Sequence, residues 1–319
     1  MPRNPAAIKE ELIEQVTSTL RRYGFETKYC DLVEDGCFDI AARRGSGVVL
    51  IKTLVNVDRY GYRQASDLRK ITTTLSAVPL IIGVRTRRGE IEEGLVYERY
   101  GLKVISAQTL EMALKGEAPM ICVKRGGIYV EIDGNRLREA RLKMGLSLGE
   151  LAELVGVSRK AIYEYERGGM RPTLDVALRL EEVLDEDIVE PLDIFKLSCE
   201  PTEFRNGNDE EEEVVIKTKT ALEDLGLKAE AVKKAPFNIV AAKDSEKLRM
   251  VAEARKRVRE IRYLRLDATK ELAEVMKARM LVFVEQDKER IKDIDGVPVV
   301  SIRELRRRGL PEVLEEAEL

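Results

Sequence analysis

The chain contains no histidine and no tryptophan. It has four cysteines, Cys30, Cys37, Cys122 and Cys199, and none of them forms a CxxC pair. With neither imidazole nor paired thiolates, the usual zinc sets are missing, and the cysteines are expected to be buried thiols in a reducing compartment. No Gly-rich phosphate loop is present, so no nucleotide cofactor is indicated, and neither a cofactor nor a bound metal is expected. There is no run of roughly 18 apolar residues, and the N-terminal MPRNPAAIKEE lacks an apolar signal core. A cytoplasmic protein without a membrane partner is expected. Aromatics are scarce at 5% and the net charge is −3. The whole chain is therefore no basic nucleic-acid coat, and any DNA contact must be local.

What is present is charge and length. Charged residues make up 35% of the sequence, and the excess of Glu, Lys and Arg over aromatics resembles the bias of hyperthermophilic proteins. A chain of 319 residues suits two or three domains.

The most informative stretch is Gly145 to Pro172. Ser147 is placed to cap a helix, and Glu150 three residues on completes a capping box. Leu148, Leu151, Ala152 and Val155 follow at helical spacing, and Gly156 suits the C-cap. Ser158 starts a second helix with Ala161, Ile162 and Tyr165 on its apolar face, ended by Gly168-Gly169. Two short helices joined through a glycine make a helix-turn-helix. From Gly134 to Thr173 there are eight basic and five acidic residues, a local excess of three positive charges, whereas 175–193 is acidic. That polarity suits one face toward phosphate.

The segment resembles the lambda-repressor-like, Cro-type DNA-binding domain. The resemblance is carried by Arg138 and Arg141, the Gly-Leu-Ser of 145–147, Leu151-Ala152, Gly156-Val157-Ser158, Ile162, Glu166, Gly168 and Pro172-Thr173-Leu174. It implies that the helix starting at Ser158 enters the major groove and faces double-stranded DNA with Ser158, Arg159, Lys160, Tyr163 and Glu164, Arg171 standing nearby as a further contact. Arg159 could fork onto a guanine, Lys160 reach a guanine or a phosphate, and Glu164 accept from a cytosine amine. It also implies an ion pair between Arg141 and Glu166 that ties two helices together. One departure is Leu148, where the family often has a phosphate-contacting Gln.

Before this segment the pattern is α/β. Pro5 opens a helix with Ile8, Leu12, Val16 and Leu20 on one face. Strand-like runs follow at 26–29, 37–42 and 48–54, then a helix through Tyr62, Ala65, Leu68 and Ile71, then a buried strand at 78–84. A short helix is expected at about 91–100, a strand at 103–105, a helix capped by Ser106, and a hairpin through Gly126-Gly127. Phe38-Asp39-Ile40 and Leu50-Ile51-Lys52 resemble the restriction-endonuclease-like nucleases, including the archaeal junction resolvases. The resemblance implies a metal-binding acid at Asp39 and a catalytic Lys at Lys52, but the second acid position holds Leu50. One carboxylate and one Lys make a poor magnesium site, and Asp39 and Lys52 read as remnants, with no catalytic residue assigned. Arg85, Arg87 and Arg88 form a turn that either touches nucleic acid or is a solvated turn.

After the helix-turn-helix, 173–184 is a closing helix, and Val189, Leu192, Ile194 and Phe195 suggest one more short helix and a dimer contact. An acidic linker spans 199–214. Beyond it Phe237-Asn238-Ile239 aligns with Phe38-Asp39-Ile40 at an offset of 199, 280–284 with 80–84 at 200, and Gly296, Val299-Val300-Ser301 and Leu305 with Gly101, Val104-Ile105-Ser106 and Leu110 at 195. This reads as a second, faded copy of the α/β domain, its acid changed to Asn238 and its Lys position near Ala252. The basic run 255–270 is either an accessory phosphate contact or a solvated helix face.

The expected architecture is α/β plus all-α: two restriction-endonuclease-like domains, 1–132 and 215–319, flank a helical domain at 133–198, with the linker at 199–214 between. The full chain looks like an archaeal family of helix-turn-helix transcriptional regulators. The expected function is a sequence-specific DNA-binding regulator acting as a homodimer, not an enzyme. The rivals are a metal-dependent DNA nuclease targeted by its helix-turn-helix, and an interaction scaffold whose DNA binding is incidental.

Overall fold

The computed structural model describes residues 4–124, 126–195, 212–261, 263–285 and 291–308. Contacts gather the chain into two compact units: residues 1–82, 100–102 and 197–319 form one, and 83–99 with 103–196 the other.

The first unit opens with α1 (Pro5–Arg22), capped by the Asn4 side chain, which accepts from the Ala6 amide. Its stripe Leu12, Val16 and Leu20 is buried. It packs on the antiparallel strands β1 (Glu26–Tyr29), β2 (Ile40–Arg44) and β3 (Gly47–Asn56). A 3-10 turn at Val57–Arg59 leads into α2 (Tyr62–Leu75), and β4 (Val78–Arg85) follows, giving the order β1-β2-β3-β4.

The second unit contains β5 (Leu95–Arg99), β6 (Leu102–Ile105, entered at its second residue), α3 (Ala107–Lys115), β7 (Ile121–Lys124) and β8 (Gly127–Ile132). Four helices follow: α4 (Gly134–Lys143), α5 (Leu148–Val155), α6 (Arg159–Glu166) and α7 (Leu174–Leu184), closed by β9 (Val189–Glu190). Leu137, Leu151, Val155, Ile162, Leu180 and Ile188 form the centre of the helical core, each fully buried, and each such side chain contributes about 1.5–3 kcal/mol. α4 crosses α6 so closely that a Cβ on Gly134 would lie 2.5 Å from the Glu166 carbonyl oxygen. Only glycine fits there.

Two expectations fail in this unit. The segment near 91–100 is the strand β5, paired in parallel with β7, and not a helix. Gly94 at φ +77 breaks a helix before it can start, and Val96 is buried while its neighbours are not, a period of two. The segment after α7 is also no helix: β9 pairs antiparallel with β8. Ile188, Leu192 and Ile194 are buried within the unit, and the Leu192 amide bonds the Pro119 carbonyl. Of the four side chains expected to make a dimer contact, Leu192 and Ile194 are buried in this unit, and Val189 and Phe195 are half-buried.

The rest of the first unit is α8 (Glu213–Asp224), β10 (Lys228–Ala231), β11 (Ile239–Lys243), β12 (Leu248–Arg255), α9 (Tyr263–Val275), β13 (Arg279–Val284), β14 (Asp293–Ile294), β15 (Val297–Ser301) and α10 (Ile302–Arg308). The succession repeats that of α1 to α3, down to a 3-10 turn at Val258–Glu260 before α9. The strand order β10-β11-β12-β13 repeats β1-β2-β3-β4. Both first helices end before a glycine in the left-handed region, Gly24 at φ +79 and Gly226 at φ +80. The expected linker lies outside the described residues up to position 211, as does Cys199, and Glu213 already belongs to α8. Cys30, Cys37 and Cys122 are buried and unbridged.

The copies pack reciprocally. α2 lies against β10 and β11, and α9 lies against β1 and β2. Because α2 corresponds to α9 and β1-β2 to β10-β11, this is an isologous contact made within one chain. The Asp67 carboxylate on α2 accepts the Lys233 and Lys234 amides at 2.8 Å, the Cys37 amide donates to the Lys234 carbonyl, and Lys70 Nζ donates to the Ala231 carbonyl.

Candidate functional site

The helix-turn-helix has the geometry that its capping residues specify. Ser147 Oγ accepts from the Glu150 amide at 3.2 Å, and the Glu150 carboxylate accepts from the Ser147 amide at 2.7 Å. That bond holds the Glu150 carboxyl below its ordinary pKa. Gly156 at φ +75 ends α5, and Ser158 Oγ caps α6 through the Ala161 amide. The inner face of α6, Ala161, Ile162 and Tyr165, is buried. Arg141 Nε lies 2.6 Å and Nη2 3.1 Å from the two oxygens of Glu166, and Nη1 donates to the Leu146 carbonyl. Both side chains are 8% exposed. The predicted tie between α4 and α6 is therefore a buried fork that fixes the angle of α6.

On the outer face, Ser158, Arg159, Lys160 and Tyr163 are exposed at the N-terminal half of α6. The other two candidates are less exposed. Glu164 is half-buried with its carboxylate folded over Gly169, and Arg171 forms an ion pair with Glu131 on β8. Arg167, which the sequence did not single out, is exposed, stacks 5.2 Å from the Tyr163 ring centre and donates to its hydroxyl. An Arg four residues after a Tyr on a helix was the available signal. Arg85, Arg87 and Arg88 are exposed on a turn pinned by the Thr86 hydroxyl.

The nuclease-like position in the first copy is closed. Asp39 and Lys52 are buried at 5% and 3% exposure. Asp39 Oδ1 accepts from Lys52 Nζ at 2.9 Å and Lys9 Nζ at 3.2 Å; Oδ2 accepts the Thr53 amide and hydroxyl, each at 2.8 Å. Lys52 also donates to the Gly36 carbonyl. Leu50, on the same strand face as Lys52, is fully buried. The donor set does not fit a magnesium ion: it holds one carboxylate, and cations and hydrogen-bond donors already engage both its oxygens. Among the described residues no group of three or more His, Cys, Asp or Glu side chains could hold a metal.

The second copy differs at each of these points. The Asn238 amide donates to the Ala252 carbonyl as that of Asp39 donates to Ile51, so Lys52 corresponds to Glu253, the residue after Ala252. The offset is 199 at Asp39 and 201 at Lys52, because the connection between the two strands is two residues longer in the second copy. Asn238 exchanges two hydrogen bonds with the Ala254 backbone, and Glu253, 3% exposed, pairs with Arg255 at 2.9 Å.

Comparison with known proteins agrees with this division. Residues 9–119 match the PD-(D/E)XK superfamily domain and residues 137–190 match the helix-turn-helix family. The chain is 36% identical over 309 residues to an HTH-type transcriptional regulatory protein of Pyrococcus abyssi, covering 96% of each. It is 37% identical over 311 residues to one of Pyrococcus furiosus, again covering 96% of each, and 35% identical over 302 residues to one of Methanocaldococcus jannaschii, covering 94% and 93%. The chain belongs to this archaeal family of HTH-type transcriptional regulatory proteins. It combines the family's central helix-turn-helix with an N-terminal nuclease-like fold. Among the described residues no helix is long and apolar enough to cross a membrane.

Proposed function

We propose that this regulator docks residues 133–198 on duplex DNA with the N-terminal half of α6 in the major groove. The observation that supports it is the split character of α6: its inner face is buried and locked through Glu166, while Ser158, Arg159, Lys160 and Tyr163 point to solvent. Arg159 and Lys160 supply the base and phosphate contacts, and Arg167 on Tyr163 adds a cation at the far end of the helix. Arg171, paired with Glu131, and the half-buried Glu164 act less directly. One eight-residue helix reads few base pairs, so a homodimer with half-sites about 34 Å apart completes the reading. Selection of bound genomic fragments at stated salt tests it. Arg159→Ala is expected to weaken the selected site by about 1–3 kcal/mol and relax preference at one base. If variant and wild type discriminate equally among all sequences, α6 is not the reader.

A second reading, a DNA nuclease, draws on the PD-(D/E)XK match across Asp39 and Lys52. We infer that the first copy is structural, since its acid and its lysine neutralise each other. Incubation with duplex, junction and single-stranded DNA in magnesium or manganese should give no cleavage. Cutting that Asp39→Ala abolishes would restore the enzyme.

A further inference from the structure

The cleft of the second copy is open where that of the first is closed. α1 has 18 residues and α8 has 12, and both end at the equivalent glycine. The six extra residues of α1, about 9 Å of helix, carry Lys9 over Asp39. In the second copy a cavity of about 390 Å³ lies at that place, within the range of small-molecule sites, about 300–1,000 Å³. Asn238, Glu253 and Arg255 line it, so it coincides with the positions of the first copy's remnant site.

We infer that this cleft binds a small organic anion, a carboxylate or phosphate monoester on an apolar body, whose charged group takes the place of Glu212 on Arg255. Arg255 is anchored from below: Nε and Nη2 lie 3.1 and 2.9 Å from Glu253, whose side chain is only 5% exposed. Its Nη1 is held from the mouth by Glu212 at 3.3 Å, and that carboxylate is 66% exposed. An exposed pair of this kind is weak and readily displaced, whereas the guanidinium beneath it is fixed and presents further N–H donors. Lys233 also lines the cavity. The lining sets Glu212 and Glu253 against Lys233 and Arg255, so an incoming anion exchanges with Glu212 at the guanidinium. Glu212 is the N-cap of α8 but caps no amide with its side chain, so the positive end of that helix adds to the field. Val232, Pro236 and Phe237 supply the apolar wall. A DNA backbone is the lesser match, because the cation sits in a concavity with a carboxylate beneath it rather than on an exposed ridge.

The test uses the full chain without DNA, so that it stands or falls apart from the reading of α6. Calorimetric titration and thermal unfolding at constant ionic strength are run with adenosine monophosphate, benzoate and inorganic phosphate. Saturable binding of one molecule per chain is expected for adenosine monophosphate or benzoate, which separates a phosphate from a carboxylate head, and not for inorganic phosphate. Glu212→Gln should tighten it by up to about fivefold, the strength of an exposed pair. The double variant Glu253→Gln/Arg255→Met removes both charges of the inner pair together and should abolish binding while still melting cooperatively. The inference is overturned if neither organic probe saturates in the millimolar range or if the variants bind as wild type does.

Discussion

The nuclease-like first copy and its C-terminal repeat share a strand order and differ in how each has used the same place. In the first, Asp39 pairs with Lys52 and with Lys9 of α1, and Thr53 and Gly36 take the remaining bonds. In the second, the acid is an amide, the base is an acid, and the counter-charge has moved two residues along the strand to Arg255. Moving it outward turns a sealed pair into one with a solvent-facing side, since Arg255 is 24% exposed where Lys52 is 4%. The lesson is that a pair of charges left in a protein interior must remain mutually satisfied, but whether it faces a cavity depends on the helix above it.

The comparison can be broken by removing the carboxylate from each pair. Asp39→Asn leaves Lys52 buried without its counter-charge and should cost about 3–5 kcal/mol in urea unfolding. Glu253→Gln leaves Arg255 with water and Glu212 within reach and should cost only about 1–2 kcal/mol. Equal losses would mean that the two sites are equally sealed.

The helix-turn-helix was legible because its information is local. Ser147, Glu150, Gly156 and Ser158 each act within four residues, and the Arg141–Glu166 tie follows from the family pattern. The exposed candidates Ser158, Arg159, Lys160 and Tyr163 follow from helical spacing alone. What the chain alone did not reveal was set by distant partners. Leu95–Arg99 is a strand because β7 pairs with it. Leu192 and Ile194 looked available because their partners are far off in sequence. Arg171 and Glu164 looked free for the same reason, their neighbours being Glu131 and a glycine turn. The repeat was visible in its apolar strands, but the identity of Glu253 as the counterpart of Lys52 needed the hydrogen-bond register.

The α2-on-β10-β11 and α9-on-β1-β2 contacts give each copy the other's helix as cover, so the chain makes internally the kind of contact that a homodimer makes between subunits. Asp67 is a buried member of this contact. Burial pushes its carboxyl above the ordinary value, outweighing the Lys233 and Lys234 amides that pull it down. A raised folded pKa means that the folded chain holds this proton more tightly than the unfolded chain does. The associated stability is present below the unfolded value and is lost as pH rises through the folded one. Asp67→Asn keeps an acceptor for the two amides and cannot ionise. Its stability relative to wild type should therefore rise as pH climbs from the ordinary aspartate value through the raised one, then level off. This is the smallest of the expected effects, read as the difference between two urea midpoints across that window. A difference that falls with pH would show that the carboxylate's charge, and not its acceptor geometry, holds the copies together.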